Sequence, residues 1–339
     1  MNAHAASAFT LALVCGPLVG AASEEASADE LRIGMIGLDT SHVVAFTRLI
    51  NDPSQENHVP GGKVVAAFKG GSPDVESSAT RVDGFTKQLE EEFGVTIVDS
   101  IEELCRLVDV VMLESVDGRP HLEQARPVLE AGKPLFIDKP VAGSLRDAIE
   151  VFRLAKEHDV PCFSSSAYRY YESLTDLLAK DVGDVRGAIS YGPCSKEPHH
   201  PDLFWYGVHA TEALFAVLGP GCESVVRTAT ENTDVVTGVW SDGRVGTLRG
   251  LRNAATPHQV IVFGTKAVAH QEGGGNYAPL VAKVMEFFTT RIVPVSPRET
   301  IEIFAFMEAA DESKRRGGVP VTIGEVIEQA SDGKPLPYE

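Results

Sequence analysis

From residue 31 onward, short apolar runs alternate with stretches of helical periodicity. The runs 31–36, 64–68, 108–113, 134–137 and 160–163 have the length of buried strands. Between them, 41–50, 84–93, 120–131 and 144–158 read as helices, and Ser100-Ile101-Glu102-Glu103 is a capping box that opens one more. Such alternation predicts a Rossmann-type parallel sheet over residues 29–160. Beyond 185 the texture changes: 185–191, 225–230, 235–240, 245–251 and 260–263 are β-type runs, with Ser241-Asp242-Gly243-Arg244 as a hairpin turn. They predict an α+β domain over 161–339 with a mostly antiparallel open sheet, one face under helices and the other free for substrate or a second subunit. Residues 298–315 carry an amphipathic helix that stops at Gly317-Gly318, and no internal repeat is present.

Composition narrows the class. A chain of 339 residues, 43% hydrophobic, fills two ordinary cores. With 48 acidic against 30 basic residues the formal charge is -18, which repels a phosphate backbone and excludes nucleic acid as a partner. Residues 8–22 form an uncharged apolar run too short to span a membrane, followed by polar SEEASADE. The profile predicts a signal peptide over 1–28, with cleavage after Ala22 or Ala28, and an exported, periplasmic or secreted protein. No Lys or Arg precedes Arg32, so a cytoplasmic chain is the alternative. Cys105, Cys162, Cys194 and Cys222 lack metal-type spacing and read as buried thiols, with a Cys194–Cys222 pair left open.

Candidate chemistry gathers first in residues 130–144, EAGKPLFIDKPVAGS. Gly132 suits a helix cap, and Asp138, Lys139 and Pro140 follow a short strand at the sheet edge where open α/β folds hold ligands. The Lys139 ammonium can reach a small polar substrate there; the bland reading is a surface lysine. This stretch resembles the A-G-K-x-V-x-x-E-K-P signature of the glucose-fructose oxidoreductase/inositol dehydrogenase (Gfo/Idh/MocA) family, with Asp138 in place of its Glu. The resemblance runs from about Leu31 to Ile323 and implies an NAD(P)-dependent sugar or polyol dehydrogenase. It also implies NAD or NADP as cofactor and a carbohydrate or polyol as partner, while the free face of the C-terminal sheet leaves a homo-oligomer as an option.

The expected G-x-G-x-x-G fingerprint reads Gly37, Asp39 and His42. Asp39 would bring a charge toward an anionic pyrophosphate, unless it takes a ribose hydroxyl while Ser41 or His42 takes phosphate. Lys69 stands where an acidic residue would hold the ribose, and suits either a 2'-phosphate or solvent. By resemblance, His121 and Asp138 join the cofactor contacts; on chemistry alone His121 is structural.

A second constellation, PHHPDLFWYGVHATEAL, holds His199, His200, Asp202, Trp205, Tyr206, His209 and Glu212. Glu212 lies three residues after His209 on one helical face, placed to orient its imidazole. The run resembles the family pattern D-x-x-x-H-x-x-D, which implies His209 as proton acceptor and Glu212 as the last carboxylate, with Trp205 replacing the first Asp. Tyr168 and Arg169, in the polar and aromatic run 164–171, and Trp205 and Tyr206 are candidate substrate contacts. These histidines would also suit zinc or manganese, but His199 and His200 read as structural and no metal is assigned. A redox-neutral or non-catalytic carbohydrate-binding relative without dinucleotide is the second functional reading.

Overall fold

The structure, a computed structural model, describes Met1 and residues 30–339; apart from Met1, the expected signal peptide over 1–28 falls outside the described residues. The first sheet is built from β1 (Leu31–Ile36), α1 (Ser41–Asn51), β2 (Gly62–Phe68), α2 (Glu76–Ala79), α3 (Val82–Phe93), β3 (Thr96–Val98), α4 (Ile101–Leu107), β4 (Val110–Leu113), α5 (His121–Glu130), β5 (Leu135–Asp138), α6 (Leu145–Glu157) and β6 (Cys162–Ser165). All its strands are parallel, in the order β3-β2-β1-β4-β5-β6. The order reverses between β1 and β4, and the crevice above that point is where such sheets bind ligands. Helix starts follow local chemistry: Thr40, Ser100 and Ser144 each accept a backbone N–H of the first turn. Gly94 ends α3 in the left-handed region.

The chain continues through α7 (Glu172–Leu178), β7 (Val185–Pro193), α8 (Gly207–Leu218), β8 (Cys222–Ala229), β9 (Thr233–Trp240), β10 (Val245–Leu251), β11 (Gln259–Gly264), β12 (Val268–His270), α9 (Ala278–Thr290), α10 (Pro297–Arg315), β13 (Val321–Thr322) and α11 (Ile323–Ser331). The second sheet runs β12-β11-β7-β10-β9-β8-β13 and is antiparallel except where β10 meets β7. The architecture is the expected Rossmann-type sheet followed by a mostly antiparallel one. On the second sheet's open face, register lines up Val268, Phe263, Gly187, Val245 and Val239, and the four with side chains are all exposed. No helix among the described residues is long and apolar enough to cross a membrane.

Two expectations about organisation change. The domain boundary at 160 falls too early, because β6 extends the parallel sheet to Ser165. The C-terminal half also returns to the first: Leu280, Val281, Val284 and Phe287 of α9 share a core with Val43, Phe46 and Ile50 of α1. The helix at 298–315 is not amphipathic in use. Ile301, Phe304, Met307 and Ala310 are buried, and so are Thr300, Glu302, Asp311 and Ser313, because α10 lies between α6, α8, α11 and β8. A helix buried on nearly every side must pair its polar groups internally. Cys194 and Cys222 are separate buried thiols.

One such pairing is ionic. The fully buried Arg227 guanidinium lies 2.7 Å from Asp234, 2.8 Å from Asp202 and against Asp311. Removing one member of a buried network strands the others, at a cost of about 3–5 kcal/mol. Arg227→Ala should lower stability by that amount in denaturant unfolding, whereas a change below about 1 kcal/mol would mean that the network is not structural.

Candidate active site

The site forms above the switch point. Gly37 follows β1 with φ of 83°, and a Cβ there would stand 2.0 Å from Ser115 Oγ, so only glycine lets the β1 and β4 loops close together. The next polar residue ties them. Asp39 is fully buried; Oδ1 accepts from Val116 N at 2.8 Å and Oδ2 from Ser78 Oγ at 2.6 Å. Ser78 Oγ in turn accepts from Ser72 N at 2.7 Å, which draws in the loop after β2. The expectation that Asp39 meets a dinucleotide is therefore corrected: both its oxygens are spent on these loops, and Gly37 is a close-packing position beneath them.

Above this tie, a cavity of about 350 Å³ is lined from both halves of the chain. Ser41 and His42 come from the first turn of α1, Lys139 from the end of β5, and Trp205, Tyr206 and His209 from the start of α8. The Lys139-Pro140 peptide is cis. Tyr168 contributes its ring to the wall while its hydroxyl donates to Gln271 Oε1 at 2.7 Å. Five predicted positions are thus brought together with the pair Lys139 and His209.

Others are not, and each has a local reason. Lys69 turns to Asp83 at 2.6 Å on the surface. His121 is buried between the carbonyls of Ser115 and Val141, at 2.9 and 3.3 Å, so neither nitrogen is free for a nicotinamide. Asp138 lies behind His42, with Oδ2 2.6 Å from His42 Nδ1, and does not line the cavity. Glu212 does not orient His209: it accepts from Ser165 Oγ at 2.7 Å and from Arg169 Nε at 2.6 Å. Arg169 spends its other end on Glu299 at 2.6 Å, joining the turn before α7 to α10, and is unavailable to substrate. His200 sits 3.0 Å from Asp117 and His199 2.7 Å from Glu197, so neither stands with His209 as a metal set.

The group that does hold His209 is Ser166, whose Oγ lies 2.7 Å from Nδ1. Burial drives the His209 imidazole well below its ordinary value, and the charges of Lys139, His258 and His42 add to this, so it is neutral at pH 7. His258 is the main residue that sequence reasoning missed. It comes from the loop before β11, and its ring lies 4.9 Å from Tyr168 and 5.5 Å from His209. The available signal was Gly192, whose Cβ would stand 2.2 Å from His258 Nδ1: glycine makes the slot for the ring. Tyr171, Tyr277, Ser77 and Arg81 also line the cavity.

A parallel sheet joined to an open-faced second sheet, with a lysine and a histidine lining the crevice at the switch point, is an architecture of the dinucleotide-binding type. Residues 31–166 match the GFO_IDH_MocA model, described as an oxidoreductase family with an NAD-binding Rossmann fold. No curated protein sequence matches it. Among solved structures it is similar to scyllo-inositol dehydrogenase from Lactobacillus casei with bound NAD(H) and scyllo-inositol, at 14% identity over 87% of this chain and 99% of that one, with a TM-score of 0.72. Myo-inositol 2-dehydrogenase from Lactobacillus plantarum gives 17% identity over 86% and 99%, with a TM-score of 0.70. GenD2 from gentamicin A biosynthesis, in complex with NAD, gives 17% over 86% and 96%, with a TM-score of 0.68. At such identities the likeness is one of fold.

The residues present fit a dinucleotide at its phosphate end. Ser41 and His42 at the start of α1 line the cavity together with Arg81 and Ser77, whose Oγ is buried and has no partner among the described residues. At the end of β2, Gly70 and Gly71 offer no carboxylate for a ribose.

Burial pushes His258 down to about 4, against about 6.5 when unfolded. The unfolded chain therefore takes up a proton below pH 6.5 that the native state refuses, and stability falls with acidification. Between pH 7 and pH 5 the wild type should lose about 2 kcal/mol relative to His258→Gln in urea unfolding. Parallel pH curves for the two proteins would contradict this.

Proposed function

We propose that this oxidoreductase acts on the CH–OH group of a sugar or polyol, with His209 taking the hydroxyl proton and Lys139 hydrogen-bonding the same oxygen. The observation that carries the reading is the convergence of Lys139 from β5 and His209 from α8 in one aromatic-walled cavity over the α1 N-terminus. With Nδ1–H donated to Ser166, the lone pair of His209 Nε2 is left for substrate. A neutral imidazole beside an ammonium suits this division of labour, since the cation stabilises the alkoxide that the base creates. Tyr206 and His258, stacked within 19° of parallel, offer ring faces to the C–H surface of a sugar. When bound, NAD or NADP supplies the hydride acceptor; Ser41, Arg81 and Ser77 would hold its phosphates. The names of the two inositol dehydrogenases support cyclic polyols as the first substrates to try.

Purified protein given NAD or NADP with scyllo-inositol, myo-inositol and a panel of aldoses should reduce the nicotinamide with at least one of them. Lys139→Ala and His209→Ala should each lower kcat by about 100-fold or more with little change in Tm. No turnover and no dinucleotide binding by calorimetry would favour a redox-neutral carbohydrate-binding relative. The open sheet face with Val239, Val245, Phe263 and Val268 suits a second copy of the chain. Light scattering should then give an oligomer that Val245→Glu dissociates.

A further inference from the structure

Beneath the cavity lies a group of charges that this chemistry does not use. Strands β4 and β5 pair Leu113 with Ile137, so the next residues, Glu114 and Asp138, stand side by side at the carboxyl edge of the sheet. Both are buried, as is His42 apart from the edge that lines the cavity. One ligand-type atom from each of the three lies within 4.8 Å of the others. Both oxygens of Glu114 and Oδ1 of Asp138 have no hydrogen-bond partner among the described residues, a rare and costly state for buried acceptors.

Two explanations compete, a metal ion or a trapped proton. Donors on a tetrahedral zinc, each about 2.0–2.2 Å from it, stand roughly 3.3 Å apart. His42 Nδ1 and Asp138 Oδ2 are 2.6 Å apart, which is a charge-assisted hydrogen bond and leaves no room for an ion between them. Two adjacent buried carboxyls cannot both ionise. Burial penalises the charge on Asp138, but His42 and Lys139 outweigh this and hold it below the usual range. Burial, and then the Asp138 charge, push Glu114 well above it. Glu114 therefore keeps its proton, and an O–H from it to Asp138 Oδ1 engages two of the three orphaned oxygens.

We propose that His42 is a second catalytic acid/base group of the cavity, positioned by Asp138, with Glu114 a neutral carboxyl that shares its proton with Asp138. Aromatic neighbours fix the ring in place, since it stacks on Phe46 at 5.0 Å and meets the edge of Tyr277 at 4.7 Å. With Nδ1–H given to Asp138, Nε2 is an acceptor toward the cavity. The substrate proton taken by His209 must leave before the next turnover, and the nearby Lys139 ammonium opposes keeping it there. It passes through the cavity to His42 Nε2, forming an imidazolium whose counter-charge is Asp138, and then to solvent; no electrons move in this step. The groups facing His42 are Glu114 and Asp138 from below, Lys139 and His209 across the cavity, Tyr277 at its edge and Arg81 on the outer wall.

The inference rests on the cavity being the reacting site, yet two of its tests need no substrate. Infrared spectra of the full chain at pH 7 should show a neutral carboxylic acid band that Glu114→Gln removes and that titrates away at lower pH in Asp138→Asn. Proton NMR should show a His42 Nδ1–H signal that Asp138→Asn abolishes. With any active polyol, His42→Gln should lower kcat about 10- to 100-fold at nearly constant KM, and free imidazole should restore part of the loss in His42→Ala. Identical infrared spectra for wild type and Glu114→Gln would overturn the proposal, as would a stoichiometric metal that Glu114→Gln loses. A fully active His42→Gln beside an inactive Lys139→Ala would overturn it while the oxidoreductase reading stands. An inactive wild type with the acid band and the Nδ1–H signal present would sink the oxidoreductase reading and keep the buried proton.

Discussion

The carboxylate of Asp39 holds the ligand-binding edge of this protein in shape. It leaves β1 at the point where strand order reverses and accepts from Val116 after β4 and from Ser78 after β2. Three loops that would otherwise carry unpaired polar groups are thereby closed on one another without a contribution from the second sheet. A buried carboxylate with good donors at both oxygens is strongly directional, so the tie also sets where Ser41 and His42 begin α1. In a nucleotide fingerprint that position is normally empty space filled by glycine. Here a side chain fills it, and the loop is held by a hydrogen-bonded charge rather than left open for close approach.

The remaining walls come from far along the chain. His209 enters from the start of α8, His258 from a loop between strands, and Tyr277 from the residue before α9. Helix α9 returns to pack on α1, so Tyr277 can reach His42 and Phe46, and α10 joins α6 to the second sheet. The cleft is thus not a loose gap between two bodies. Its opposing catalytic candidates are referenced to a shared core, which suits chemistry that needs a fixed distance between base and cation.

Much of this was legible in the sequence. Strand runs with intervening capped helices specify a doubly wound sheet, and Lys139 at the end of 134–137 had to emerge at its carboxyl edge. His209 was singled out for a different reason, the pairing with Glu212 three residues on and the resemblance to the D-x-x-x-H-x-x-D pattern, and it does line the cavity although that pairing does not form. What could not be read was which polar neighbours a side chain would choose. Glu212 lies one helical turn from His209, yet Arg169 competes for it, and an ion pair in a buried setting outweighs a bond to a neutral ring. Ser166 takes the imidazole instead, from a segment 43 positions away. Asp39 looked like a repulsive charge because nothing local announces Ser78 or Val116 as its donors, and Glu114, directly after an apolar strand run, gave no sign at all.

These pairings also resolve an electrostatic difficulty. A protein with a formal charge of -18 should repel an anionic cofactor at long range. Within the cavity the balance is reversed by position rather than by number. Asp39 is turned into its loops, Asp138 is held behind His42, Glu114 keeps its proton, and Glu212 is matched by Arg169. What faces the ligand is the Lys139 ammonium, Arg81, the α1 first turn and imidazoles held neutral by burial. Screening by salt removes most of the distant repulsion within about 8–10 Å, whereas these near groups act at contact. The local field at the site is therefore positive although the molecule is acidic, and it is set by which carboxylates have been given partners.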